Sequence, residues 1–116
     1  MKTVEVDSYS VSLYVGFKNM TDGAEKDIEL AKQICQKYCD DVGLCVTITP
    51  TTYIYTGGSE CGCVVGFINY PRFPQTPEQI LNHAKNIGCL LKSNYYQLKI
   101  SIVAPDKTIM IGDDDL

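Results

Sequence analysis

The stretch LCVTITPTTYIYTGGSECGCVVGFINY, residues 44–70, decides the fold. Leu44, Val46, Ile48, Thr52 and Ile54 fall on one side of an extended chain, and Cys45, Thr47, Thr49, Thr51, Tyr53 and Tyr55 fall on the other. That is the two-residue period of a strand with one buried face. Pro50 cannot donate to a ladder, so the strand belongs at a sheet edge or at a bulge. Thr56 to Glu60 predicts a hairpin turn, because the adjacent Gly57 and Gly58 accept the positive φ of tight hairpins, and Cys61 to Tyr70 then returns as the next strand.

Working outward, Val11, Leu13, Val15 and Phe17 alternate with Ser12, Tyr14, Gly16 and Lys18, which predicts a first strand from Ser10. The turn Asn19-Met20-Thr21-Asp22-Gly23 leads into a predicted helix over 24–41, with Ile28, Ala31, Cys35, Tyr38 and Cys39 on one stripe, Ile34 beside it and Gly43 closing it. After the hairpin, Pro71 and Pro74 break the sheet. Thr76-Pro77-Glu78-Gln79 then begins a second helix, with Thr as N-cap, Pro at the first helical position and Gln three residues after the cap. Its stripe is Ile80, Leu81, Ala84, Ile87, Gly88 and Leu91, and Ser93-Asn94 stops it. Leu98, Ile100, Ile102 and Ala104 make a further strand, and Pro105-Asp106-Lys107 turns the chain into Thr108 to Ile111.

This order predicts an α+β fold, a ferredoxin-like two-layer sandwich of β-α-β-β-α-β plan with an extra C-terminal strand, its antiparallel sheet carrying two helices on one face. Residues 1–116 read as a single domain, with 112–116 an acidic tail expected to fray. Leu13, Val15, Phe17, Val46, Ile48, Ile100 and Ile102 are the expected core of the sheet.

A net charge of −4 opposes binding to phosphate backbones, so nucleic acid is excluded as a partner. The chain has no apolar run of about 18 residues, the length a membrane span needs. Its N-terminus, interrupted by Glu5, Asp7 and Ser8, does not read as an export signal. The expected location is therefore cytoplasmic, with the six cysteines reduced and serving as small hydrophobes.

No catalytic residue is assigned. The one histidine, His83, lies mid-helix, and Cys89, six residues on, points in another direction. Gly57-Gly58 joins two strands and lacks the Lys and Ser/Thr of a phosphate loop. Cys35 and Cys39 are one helical turn apart, and Cys61 and Cys63 share one side of a strand. The helix needs its thiol face for the core, so neither a metal nor another cofactor is expected.

Two features stand out as partner-binding surfaces. One is the loop Tyr70, Arg72 and Phe73, which holds the only arginine between aromatics and prolines. The other is the helix-free sheet face with Tyr14, Tyr53 and Tyr55. Their plain alternatives are a hydrophobic staple on the second helix and a solvated Thr/Tyr surface. Together they favour a non-enzymatic, inhibitor-type accessory protein that binds another protein or a second copy of itself as a homodimer. The competing reading is a small anionic-ligand-binding domain or enzyme, its pocket between the Tyr70–Phe73 loop and the free amides of Glu78 and Gln79.

Overall fold

A computed structural model describes residues 1–19 and 21–113. The chain runs β1 (Ser10–Gly16), α1 (Ile28–Val42), β2 (Thr47–Tyr55), β3 (Gly58–Ile68), α2 (Pro77–Asn94), β4 (Lys99–Val103) and β5 (Thr108–Gly112). The strands form one five-stranded sheet in the order β2-β3-β1-β4-β5, every neighbouring pair antiparallel. This is the ferredoxin-like two-layer sandwich with an added edge strand, as the pattern of elements implied.

The alternation of each strand sets the register. Val15 faces Cys63, Leu13 faces Val65 and Val11 faces Phe67 across β1 and β3, and Leu13 also faces Ile102 of β4. These side chains are buried beneath the helices, together with Phe17 and Ile100. Val46 and Ile48 are only half-buried, because β2 is an edge strand and a groove separates its start from α1. Pro50 is tolerated for the same reason: its missing N–H falls on a strand that has one neighbour.

The hairpin is tighter than the spacing of its turn residues implied. Only Thr56 and Gly57 form the loop, Gly57 at φ 85°, and the ladder resumes at once with Tyr55 opposite Gly58. A loop of two residues whose twist matches the strands needs the positive φ that Gly57 supplies. Both faces of the hairpin tip are exposed, with Ile54 84% accessible.

Helix α1 starts later than the periodicity implied. Asn19 Oδ1 accepts from Thr21 N, Asp22 Oδ1 accepts from Ala24 N, and Lys18 pairs with Glu25 in an isolated bridge, so residues 21–26 are spent in turns before Asp27 caps the helix. Short polar side chains that bond their own backbone compete with the helix here. Helix α2 has the capping box read from its sequence: Thr76 accepts from Gln79 N, and the Gln79 side chain accepts from Thr76 N. Gly112 is the last residue of β5, and the Asp113 carboxylate meets Lys92 at 2.6 Å. The rest of the expected tail, Asp114, Asp115 and Leu116, lies outside the described residues. No helix among the described residues is long and apolar enough to cross a membrane.

Candidate functional site

At the hairpin end of the sheet, the helix-facing side of β2 and β3 meets the entry to α1 around an open cleft of about 520 Å³. Phe17, Ile28 and Pro50 supply its apolar wall, and Cys61 and Gly62 supply strand backbone. The loop Glu25-Lys26-Asp27 forms the rim, and each of its residues is anchored.

Glu25 takes over where β1 ends. Phe17 N donates to Cys61 O at 2.9 Å, and beyond that point the Cys61 N–H donates to Glu25 Oε2 at 2.8 Å. Lys26 turns away from the cleft: its Nζ donates to Asn94 O at 3.1 Å and lies 4.8 Å above the Tyr96 ring. A cation at the C-terminal end of α2 is favoured by the helix dipole. Asp27 caps α1 through Oδ1, and its carbonyl accepts from the Tyr95 hydroxyl at 2.7 Å. The cleft is therefore apolar inside, and its rim carries two carboxylates, bonded by Cys61 N and Glu29 N, against one lysine bonded to Asn94 O. Such a field favours a cation over an anion.

On the opposite face of the same strands, Gly16 and Gly62 are cross-strand partners. A side chain at either position would collide with what lies above it, the Glu60 carboxylate at Gly16 and the Tyr53 ring at Gly62. Lys18 N donates to Glu60 Oε2 at 2.8 Å, and the Tyr53 hydroxyl donates to Cys63 O at 2.8 Å. Burial, aided by Cys63, Tyr14 and Glu60, pushes the Tyr53 hydroxyl far up, so it keeps its proton throughout the physiological range.

The six residues read from the sequence as partner-binding do not form one surface. Tyr14, 39% exposed, Tyr53 and Tyr55, 48% exposed, lie on the open face toward the hairpin. Tyr70, Arg72 and Phe73 lie past the other end of β3, about 20 Å from Tyr14 and about 30 Å or more from Tyr53 and Tyr55 at the ordinary rise of a strand. Tyr70 and Phe73 pack ring to ring at 5.3 Å, while Arg72 is exposed and makes no ion pair among the described residues. Clefts of about 390 and 340 Å³ flank Tyr9 at that end. They reach Asn69 and the Pro77-Glu78 start of α2, and Arg72 lines neither. Among the described residues no group of three His, Cys, Asp or Glu is arranged to hold a metal ion. Of the four thiols weighed as ligands, Cys61 lies at the large cleft, whereas Cys35 and Cys39 line another, together with Cys45.

The residues missed by sequence reasoning are Phe17, Glu25, Asp27 and Glu60. Phe17 reads as ordinary core, and the two rim acids read as the solvated first turn of a helix. Only the shortening of α1 to Ile28 frees them as a loop that faces β3.

None of the protein-family models and none of the curated proteins compared matches the chain. Two solved structures share its fold along almost the whole length. A phage SAM lyase in its apo state superposes with a TM-score of 0.74 at 13% identity, covering 93% of this chain and 91% of that one. A phage SAM lyase in complex with S-methyl-5'-thioadenosine superposes with a TM-score of 0.73 at 15% identity, covering 100% and 98%. This finding overturns the expectation of a non-enzymatic, inhibitor-type protein-binding accessory. The similar structures are enzymes, and one of them holds a small ligand.

Proposed function

We propose that the chain is an enzyme that acts on a sulfonium nucleoside, S-adenosylmethionine or a close analogue. The observation that carries this reading is the cleft between Phe17, Ile28 and Pro50 with the carboxylates of Glu25 and Asp27 at its rim. Its size suits a nucleoside, and its charge suits a ligand with a net positive centre. The shared fold with SAM lyases supports the same reading, and the acidic rim speaks against the anionic ligand expected from the Arg72 loop.

The chemistry follows from the two molecules. S-methyl-5'-thioadenosine keeps the methyl and adenosyl groups on sulfur, so a lyase that releases it breaks the bond from sulfur to the methionine side chain. The electron pair of that bond goes to sulfur, which becomes a neutral thioether. The four-carbon fragment completes its octet by capture of its own carboxylate or by loss of a proton, without water. Charge disappears in this step, and an apolar wall that excludes water favours it over the separated charges. Phe17, Ile28 and Pro50 supply that wall, while Glu25 and Asp27 draw the cation in.

The test is incubation of the purified chain with S-adenosylmethionine, read by chromatography and mass spectrometry. Release of S-methyl-5'-thioadenosine is expected. No product, together with no heat on titrating S-adenosylmethionine to millimolar concentration, would sink the reading.

Self-association belongs to the same proposal. Ile54 and Tyr55 are 84% and 48% exposed on the hairpin beside the open face with Tyr14 and Tyr53, a surface that a second copy would cover. Light scattering that gives a monomer mass at micromolar concentration would remove this part. The cytoplasm is the proposed location, since Cys45, Cys61 and Cys89 are free and exposed thiols, as a reducing compartment keeps them.

A further inference from the structure

Away from the large cleft, a second groove of about 380 Å³ runs between α1 and the chain entering β2. Three cysteines line it, graded in depth: Cys45 exposed, Cys39 half-buried and Cys35 buried. The end of α1 brings two of them together. Gly43 N and Leu44 N both donate to the Cys39 carbonyl, at 2.8 and 3.3 Å, so the chain folds back over Cys39 and reaches Cys45 one residue later. Burial raises Cys39 above its ordinary value, and Cys45 adds to the rise. Cys35 is pushed up to about 12 by burial, with Cys39 and Cys63 adding, and stays an inert thiol.

Tyr70 stands beside the exposed thiol. Cys45 beside it and burial raise its pKa, so the phenol keeps its proton. Tyr70 is in turn held by the Phe73 ring 5.3 Å away and by the turn in which Phe73 N donates to Tyr70 O at 3.1 Å. The loop that drew attention in the sequence thus has a place in the fold as the backing of a cysteine.

We propose that Cys45 and Cys39 form a reversible oxidation site for peroxides, with Cys45 as the attacking thiol and Cys39 as the resolving one. The Cys45 thiolate attacks one peroxide oxygen, the O–O bond breaks, and the second oxygen leaves as hydroxide and takes up a proton to become water. Cys45 is then a sulfenic acid. The Cys39 sulfur attacks the Cys45 sulfur, and the sulfenic oxygen leaves as a second water. Two thiols lose two protons and two electrons in total, and one hydrogen peroxide becomes two waters. The product ties the end of α1 to the start of β2. The site is independent of the large cleft and of any reaction there.

The experiment treats the reduced, full-length protein with equimolar hydrogen peroxide, blocks remaining thiols with an alkylating agent and maps peptides by mass spectrometry. The expected product is one Cys39–Cys45 disulfide with Cys35 and Cys63 still alkylated only after unfolding, restored to free thiols by dithiothreitol. Cys39→Ser should stop at a Cys45 sulfenic acid that dimedone traps, and Cys45→Ser should give neither product. Unmodified Cys45 in the wild type, or a first oxidation at Cys61 or Cys89 instead, would overturn the proposal.

Discussion

Tyr95 lies flat against Phe17, with ring centroids 4.3 Å apart and planes inclined by 18°, and so joins the end of α2 to the end of β1. Its hydroxyl accepts from Ala31 N at 2.8 Å and donates to Asp27 O at 2.7 Å, which fastens the first turn of α1 and the rim of the cleft to the core. Burial raises this phenol to about 12, so the donor persists at any ordinary pH.

Tyr95→Phe keeps the stack and deletes both hydrogen bonds, leaving the Ala31 N–H without its partner. The loss should be about 2 kcal/mol, because an abandoned buried donor costs its desolvation. Urea unfolding measures it, and a change within error would mean that water replaces the hydroxyl.

His83 gives the protein a pH dependence. Burial holds its pKa below the ordinary 6.5, and the Tyr38 hydroxyl, 2.8 Å from Nδ1, suits the neutral ring as a donor. The unfolded chain then binds more protons than the folded one, so this contribution is complete above 6.5 and is lost as pH falls through the lower folded-state value. The urea midpoint should drop as the pH falls below about 6.5. His83→Gln should flatten that drop; an identical pH profile would show that the acids alone set it.

Glu25→Gln keeps an oxygen for the Cys61 N–H but removes a charge from the rim. Binding of S-adenosylmethionine should weaken by no more than about fivefold, the size of one exposed charge contact, while the neutral S-methyl-5'-thioadenosine should bind as before. Titration calorimetry with both ligands reads the difference. Equal losses for the two would show that Glu25 acts on the shape of the cleft and not on its charge.

Gly62→Ala places a methyl group against the Val15 carbonyl and the Tyr53 ring, and neither the backbone nor the packed ring has room to yield. Overpacking of this kind should cost about 3 kcal/mol and lower the thermal midpoint visibly. A midpoint unchanged by the methyl group would mean that Tyr53 swings out freely.

Arg72→Ala should do little. The side chain is exposed and lies off the large cleft, so stability should change by about 0.5 kcal/mol or less and turnover should be unaffected. A loss of turnover without a loss of stability would return the site to the Tyr70–Phe73 loop.

The alternation of Val11, Leu13, Val15 and Phe17, the period of residues 44–70 and the capping box at Thr76 determined the elements, their order and the buried face of the sheet. These are local matters: a strand's period and a helix cap are written within a few residues of one another, and burial of one face follows. The start of α1 was legible only in part, because the turns at Asn19 and Asp22 compete with the helix and the winner depends on the Lys18–Glu25 bridge across the chain. The cleft and the thiol groove belong wholly to tertiary structure. Glu25 meets Cys61 across 36 residues, Lys26 meets Asn94 across 68, and Cys45 meets Tyr70 only once β2 and β3 are paired. Such contacts have no spacing in the sequence, since they arise where the ends of separate elements converge, and that convergence is set by the packing of the whole sheet against its helices.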